Sequence, residues 1–225
     1  MIAPESETPM STEVKICGLS TSETMAAALA AGADYVGLVF HRPSPRHVEI
    51  ETARRLADQA RGRARSVAVV VDAPADHIAR IATEVRPDFI QAHGSETAQE
   101  VSEISTRTGI PVIKAIAIGD ADDFAKARVF HDAAAMILFD TKAPPTLAGG
   151  LPGGNGLAFD WELCRKAAIS GKFMLSGGLD PANVGRAIAL TGAAIVDVSS
   201  GVERARGVKD EQLIRNFIEA VRRAS

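Results

Sequence analysis

Two cysteines, Cys17 and Cys164, are all that the 225 residues contain, too few for a disulfide framework or a Cys-rich zinc site. The five histidines fall at no spacing typical of a metal centre, so no metal is expected. One Trp, one Tyr and an aromatic share of 4% leave little to stack on bases, and a net charge of −3 offers no basic excess for a phosphate backbone. Nucleic acid is therefore not an expected partner. No apolar run approaches the roughly 18 residues of a membrane span, so no membrane association is expected either. The first dozen residues, Met1 to Thr12, mix Pro, Ser, Thr and Glu without an apolar stretch. They read as a flexible extension instead of a signal peptide, with Met10 as an alternative start. Together these absences lead to the expectation of a soluble, cytoplasmic protein.

What the chain does have is alternation. Short apolar runs at Val14–Cys17, Tyr35–Phe40, Ser66–Val71, Phe89–His93, Val112–Ile116, Met136–Asp140, Phe173–Ser176 and Ile195–Ser199 read as eight strands. Between them lie Ala- and charge-rich stretches of about 10 residues, the length that a right-handed crossover helix needs. The runs are continuous instead of alternating, as expected of parallel strands covered on both faces. Ser20-Thr21-Ser22-Glu23 has the pattern of a capping box opening the first helix, with Gly32 past its end, and Asp180-Pro181 pairs an N-cap with a proline at the first helical position. Gly109-Ile110-Pro111 closes the helix before the fifth strand. An open doubly wound sheet would alternate in the same way. The count of eight, and the absence of any linker, favour a single closed (β/α)8 barrel over residues 13–225.

The seventh and eighth runs end in Ser176-Gly177-Gly178 and Ser199-Ser200-Gly201. Neighbouring parallel strands that end in bare backbone amides bring several N–H groups around one point, as a phosphate dianion requires. In a (β/α)8 barrel the loops after strands seven and eight are the usual phosphate site. The other strand ends converge on the same face, and there the polar residues are Cys17, Asp72, His93, Asp140, Ser176 and Asp197. Cys17 reads equally as an inert buried thiol or as a reactive one at the rim, whereas Cys164 in a helical stretch reads as inert. Lys15 is expected to point away from Cys17, which leaves any cation acting on the thiol unnamed. Asp140 ends a strongly apolar run, where a carboxylate needs a partner or a proton; pairing with Lys142 is the plainer alternative to an acid. In the basic loop after strand two, Arg46 or Arg42 could fork onto a carboxylate, or the loop could be a solvated surface. The irregular stretch Thr141 to Gly156 follows strand six and suits a lid.

Taken together, Lys15-Ile16-Cys17-Gly18, Ser44-Pro45-Arg46, Gln91-Ala92-His93-Gly94, Leu138-Phe139-Asp140-Thr141, Gly153-Gly154-Asn155-Gly156, Leu175-Ser176-Gly177-Gly178 and Val196-Asp197-Val198-Ser199-Ser200-Gly201 resemble the phosphoribosylanthranilate isomerase family. The resemblance runs from about Val14 to the last helix. It implies a barrel without metal or organic cofactor that isomerises an anthranilate-linked sugar phosphate in tryptophan biosynthesis, as a monomer or homodimer. It further implies Cys17 as general base and Asp140 as general acid, with Arg46 on the anthranilate carboxylate. Gly177, Gly178, Ser199, Ser200 and Gly201 would hold the phosphate, and His93 and Asp197 would line the pocket. Ala92 stands where the family commonly has a larger aliphatic residue, and the Thr141–Leu151 stretch looks long. Two alternatives are an isomerase of another aminoaldose phosphate and a barrel that binds a phospholigand without turnover.

Overall fold

The computed structural model describes residues 11–142, 160–166 and 171–225. Within them eight parallel strands pair in sequence order and the eighth returns to the first, closing a barrel. The strands are β1 Glu13–Cys17, β2 Tyr35–Val39, β3 Arg65–Val70, β4 Phe89–Ala92, β5 Val112–Ile118, β6 Met136–Thr141, β7 Phe173–Leu175 and β8 Ile195–Val198. All eight lie where the apolar runs predict them, β5 extending two residues further. Closure is registered by Glu13 opposite Ile195 and Lys15 opposite Asp197.

Between the strands run α1 Ser22–Ala31, α2 Ile50–Ala60, α3 Ala75–Glu84, α4 Ala98–Thr108, α5 Glu162–Lys166 and α6 Val184–Thr191, and α7 Glu211–Ala224 ends the chain. The segment between β5 and β6 is a 3-10 helix, Ala121–Phe130. Its Asp120 and Asp123 form a reciprocal capping box, so its first turn is held by acidic side chains. After β8 comes a single 3-10 turn, Ser200–Val202, and then a short antiparallel hairpin of β9 Glu203–Ala205 and β10 Val208–Lys209.

Two of the expected helix starts shift. The cap of α1 is Thr21, whose side chain accepts from the Thr24 amide, with no reciprocal box from Glu23. Such a box does open α4, between Thr97 and Glu100. Asp180 Oδ1 accepts from the amides of Ala182 and Asn183 at 2.7 and 2.9 Å, which makes a turn ahead of α6, so Pro181 precedes the helix. Gly32 and Gly109 end α1 and α4 in the left-handed conformation, as expected.

Alternate residues divide the core. Tyr35, Val39, Val67, Val69, Ile113, Ala115, Leu138, Met174 and Ile195 pack together inside the barrel, while their strand neighbours meet the helices in an outer layer, the period-2 division of a closed sheet. The N-terminal mouth is plugged by charge. Glu13 binds Arg65 and, at 2.6 Å, Lys172, and the Arg65 guanidinium lies 3.9 Å above the Tyr35 ring.

Helix α7 locks the ends of the fold together. Ile214, Phe217, Ile218 and Val221 are its buried residues, one apolar stripe at helical spacing. Arg222 donates to the Thr12 carbonyl at 2.7 Å and to Asp34 at 2.8 Å, and the Thr12 amide donates to the Ser225 hydroxyl. Thr12, read as part of a flexible extension, is thus buried against the last helix; residues 1–10 lie outside the described residues. Truncating Phe217, fully buried in this seam, to Ala is expected to cost about 3–5 kcal/mol in urea unfolding, with the KM of the surviving folded fraction unchanged.

Candidate active site

Cys17 ends β1 facing the barrel interior, and Lys15 stands two residues earlier on the same face. Side chains along a strand alternate, so positions two apart share a side; the expectation that Lys15 points away is wrong. Lys15 is fully buried and its ammonium lies 2.9 Å from Asp197 Oδ1 on β8. Burial works against that ammonium, yet Asp197 and Cys17 together raise its pKa. For Cys17 burial pushes the thiol up, Lys15 pulls it down, Asp197 pushes it up again, and Lys209 adds a second downward pull. The net direction is upward, so Lys15 restrains a shift that burial dominates. Burial pushes the Cys164 thiol up to about 12.

Across the barrel, Asp140 near the end of β6 is buried, its Oδ1 accepting from the Thr141 amide at 2.8 Å. Its Oδ2 lies 3.1 Å from His93 Nε2, and His93 Nδ1 in turn meets Gln91 Nε2 at 2.6 Å. Lys142 is not the partner of Asp140; its ammonium sits 3.8 Å from Asp123. The structure thus brings His93 and Asp140 into direct contact. Gln91, quoted in the sequence only as part of a motif, is missing from the predicted site. Its place two residues before His93 on a strand was the available signal.

Arg46 is buried, not part of a solvated loop, whereas Arg42 points out with its side chain 83% exposed. The Arg46 guanidinium forks onto Glu203, Nε to Oε1 at 2.7 Å and Nη2 to Oε2 at 3.0 Å. Its path crosses the end of β1 at Gly18, where φ is +81° and an added Cβ would lie 2.6 Å from Arg46 Cδ. Only glycine leaves that passage open. Glu203 also accepts from Lys209 at 2.8 Å and from the Gly207 amide at 3.0 Å. Burial raises the Glu203 carboxyl, but Arg46 and Lys209 outweigh it and hold the pKa down at about 2. Glu203 and Lys209 were absent from the predicted site residues. Lys209 lies in a two-residue strand that no apolar run marks, and Glu203 lies two residues past the Ser199-Ser200-Gly201 cluster.

Lys209 reaches further, donating to the Ser199 carbonyl at 2.8 Å, while the Ser199 hydroxyl donates to the Cys17 carbonyl at 3.1 Å. The two Gly/Ser loops meet as expected from the pairing of β7 with β8. A Cβ on Gly201 would strike the Leu179 carbonyl at 1.9 Å, which measures how tightly these backbones pack. Gly201 thus packs on the loop that carries Gly177 and Gly178, and Ser176 is bonded weakly to Asp197 at 3.4 Å. Asp72 is structural by its contacts. It accepts from the amide and hydroxyl of Ser95 at 2.7 and 2.9 Å and holds a strained φ of 44°, tying the loop after β3 to that after β4. The Gly153–Gly156 motif and all but the first two residues of the stretch read as a lid lie outside the described residues. Among the described residues no group of His, Cys, Asp and Glu is arranged to hold a metal, and no helix is long and apolar enough to cross a membrane.

Residues 14–220 match the family model described as N-(5'phosphoribosyl)anthranilate (PRA) isomerase. The chain belongs to the phosphoribosylanthranilate isomerase family. The N-(5'-phosphoribosyl)anthranilate isomerase of Rhodopseudomonas palustris (strain BisB5) is 51% identical over 213 residues, 95% of this chain and 97% of the relative. A phosphoribosyl anthranilate isomerase solved in complex with reduced 1-(o-carboxyphenylamino)-1-deoxyribulose 5-phosphate is 33% identical, with a TM-score of 0.79 over 93% of this chain and 98% of that one. Monomers generated from the dimeric enzyme of Thermotoga maritima give 34% identity and a TM-score of 0.79 over the same 93% and 98%. The (β/α)8 architecture is thus the one this isomerase family uses.

Two outcomes follow from the charges at the site. Iodoacetamide should alkylate Cys17 at a rate that climbs through the alkaline range, and Lys15→Met should move that climb to higher pH, because it removes the nearest cation favouring thiolate. A Cys164→Ser background isolates the signal. The Glu203 carboxyl titrates lower folded than unfolded, so its contribution to stability is full above its ordinary value near 4.5 and fades as pH falls toward about 2. Acid unfolding of Glu203→Gln should therefore show a flatter pH dependence across that window than the native chain.

Proposed function

We propose that this chain isomerises N-(5'-phosphoribosyl)anthranilate to 1-(2-carboxyphenylamino)-1-deoxy-D-ribulose 5-phosphate, an Amadori rearrangement in tryptophan biosynthesis, with its chemistry on Cys17 and Asp140. The observation that carries the reading is the placement of these two groups on different strands of one barrel mouth. One lies beside a buried cation, the other is paired with an imidazole, and the Gly/Ser loops after β7 and β8 lie at the same end. A proton donor and a proton acceptor in distinct electrostatic settings are what an aldose-to-ketose shift needs.

Asp140 gives a proton to the furanose ring oxygen as the C1–O bond breaks and the anthranilate nitrogen lone pair closes a protonated Schiff base. That positive charge acidifies C2–H and adds a third cation to Lys15 and Lys209 beside Cys17, offsetting the burial that holds the thiol protonated. The Cys17 thiolate takes the C2 proton, leaving a neutral enolamine. The proton returns at C1 while the hydroxyl at C2 surrenders its own, and the ketone forms with no net gain or loss of protons or electrons. No external redox partner is required by this balance. The amides of Gly177, Gly178, Ser200 and Gly201, with Ser199, hold the phosphate, as backbone N–H groups do for dianions. Arg46, oriented by Glu203, meets the anthranilate carboxylate, and Asp197 keeps Lys15 in place. The functional unit is a single cytoplasmic barrel, monomeric or paired with a second copy.

Turnover of phosphoribosylanthranilate generated in situ, followed by the loss of its fluorescence, tests the reading directly. Cys17→Ala and Asp140→Asn are each expected to lose about 10²- to 10⁴-fold in kcat while still binding product. Binding by the native chain without turnover would point instead to a non-catalytic barrel, and near-normal turnover by either variant would overturn that residue's role.

A further inference from the structure

Gln91 is fully buried on the inner face of β4, with Nε2 at 2.6 Å from His93 Nδ1 and Oε1 without a partner. The two ends of the amide exchange by a half-turn about its last side-chain bond, so which end meets the imidazole is decided by hydrogen bonding. A bond from a nitrogen donor to oxygen centres on about 2.9 Å, and two nitrogens facing each other need more room still. Oxygen fits the 2.6 Å contact better, and that orientation gives the buried carbonyl the partner it otherwise lacks.

With Oε1 turned to the imidazole, Nδ1 carries a hydrogen and Nε2 faces Asp140 Oδ2 across 3.1 Å with one place left for a proton. Whether that proton sits on nitrogen or oxygen, the pair has the same net charge and is loaded for donation. Once it has left, two lone pairs confront each other across the same gap. We infer that Gln91 is a positioning residue for the general acid, holding His93 in the tautomer that keeps one proton between Nε2 and Asp140. The inference rests on the isomerase reading above. That proton passes to the ring oxygen as the C1–O bond breaks, and the pair regains one from the C2 hydroxyl as the ketone forms. The other titratable groups at this end of the barrel are already engaged: Lys15 with Asp197 across from β1 and β8, Glu96 with Lys114 behind β4, Asp72 with Ser95, and Lys142 near Asp123 beyond β6. Glu203 is likewise held by Arg46 and Lys209, and Cys17 titrates as the base.

The pH dependence of kcat separates positioning from mere packing. Gln91→Leu removes the acceptor for Nδ1–H, and the inflection set by the His93–Asp140 proton should move about one pH unit lower, with about tenfold less loaded acid. Gln91→Glu places a carboxylate there and should move the same inflection upward, while the Cys17 inflection stays put in both. In native protein labelled with 15N-histidine and assigned with His93→Gln, the His93 Nδ1 should be protonated throughout the active range. Opposite displacements together with a protonated Nδ1 would support the inference. Native inflections in both variants, or a His93 protonated only on Nε2, would overturn it. The spectrum decides the tautomer even if a variant fails to fold. A native chain that does not turn over phosphoribosylanthranilate would sink the isomerase reading while leaving the tautomer measurable.

Discussion

The Lys15–Asp197 pair is the interaction on which the site depends. It joins β1 to β8 at the seam where the sheet closes, and it does so inside the barrel, where neither charge reaches water. Such a pair gains little over an apolar contact, because desolvation consumes most of the attraction, yet removing one partner strands the other. Its presence therefore points to a role beyond stability. The ammonium held by Asp197 is also the nearest cation to the Cys17 thiol, so strand closure and thiol electrostatics are set by one contact.

A second ionic assembly carries the remaining wall. Arg46 comes from the loop after β2, Glu203 and Lys209 from the hairpin after β8, and Ser199 links them to the backbone of Cys17. The hairpin takes the place where a helix would ordinarily follow the eighth strand directly. It converts two distant loops into one surface, so that Arg46 and the Ser199 end of β8 have a fixed separation.

All eight strands were legible in the sequence because parallel strands covered on both faces must be apolar throughout, and Gly/Ser clusters mark where they stop. Cys17, Asp140, His93 and Asp197 were legible for the same reason: a polar residue at the end of such a run has nowhere to go but the mouth. What stayed hidden was pairing. Arg46 could be told from Arg42 only once Gly18 and Glu203 were seen beneath it, and Lys209 belongs to a strand too short to leave a pattern. Lys15 was misplaced by overlooking that positions two apart on a strand share a face. Gln91 was passed over because a buried amide between apolar residues looks like motif filler until its neighbour's nitrogen is located. The 3-10 segment Ala121–Phe130 was read as a crossover helix because its length suits one; the acidic residues that hold its first turn say nothing about pitch.

Because β8 pairs with β1, the first strand has no neighbour on one side until the eighth has been made. Contacts between the two ends of a chain this long give a high contact order and slow closure. During synthesis the nascent barrel must wait, one edge unpaired, until β8 has left the ribosome. Moving the termini to another loop would alter that wait while leaving the finished barrel unchanged.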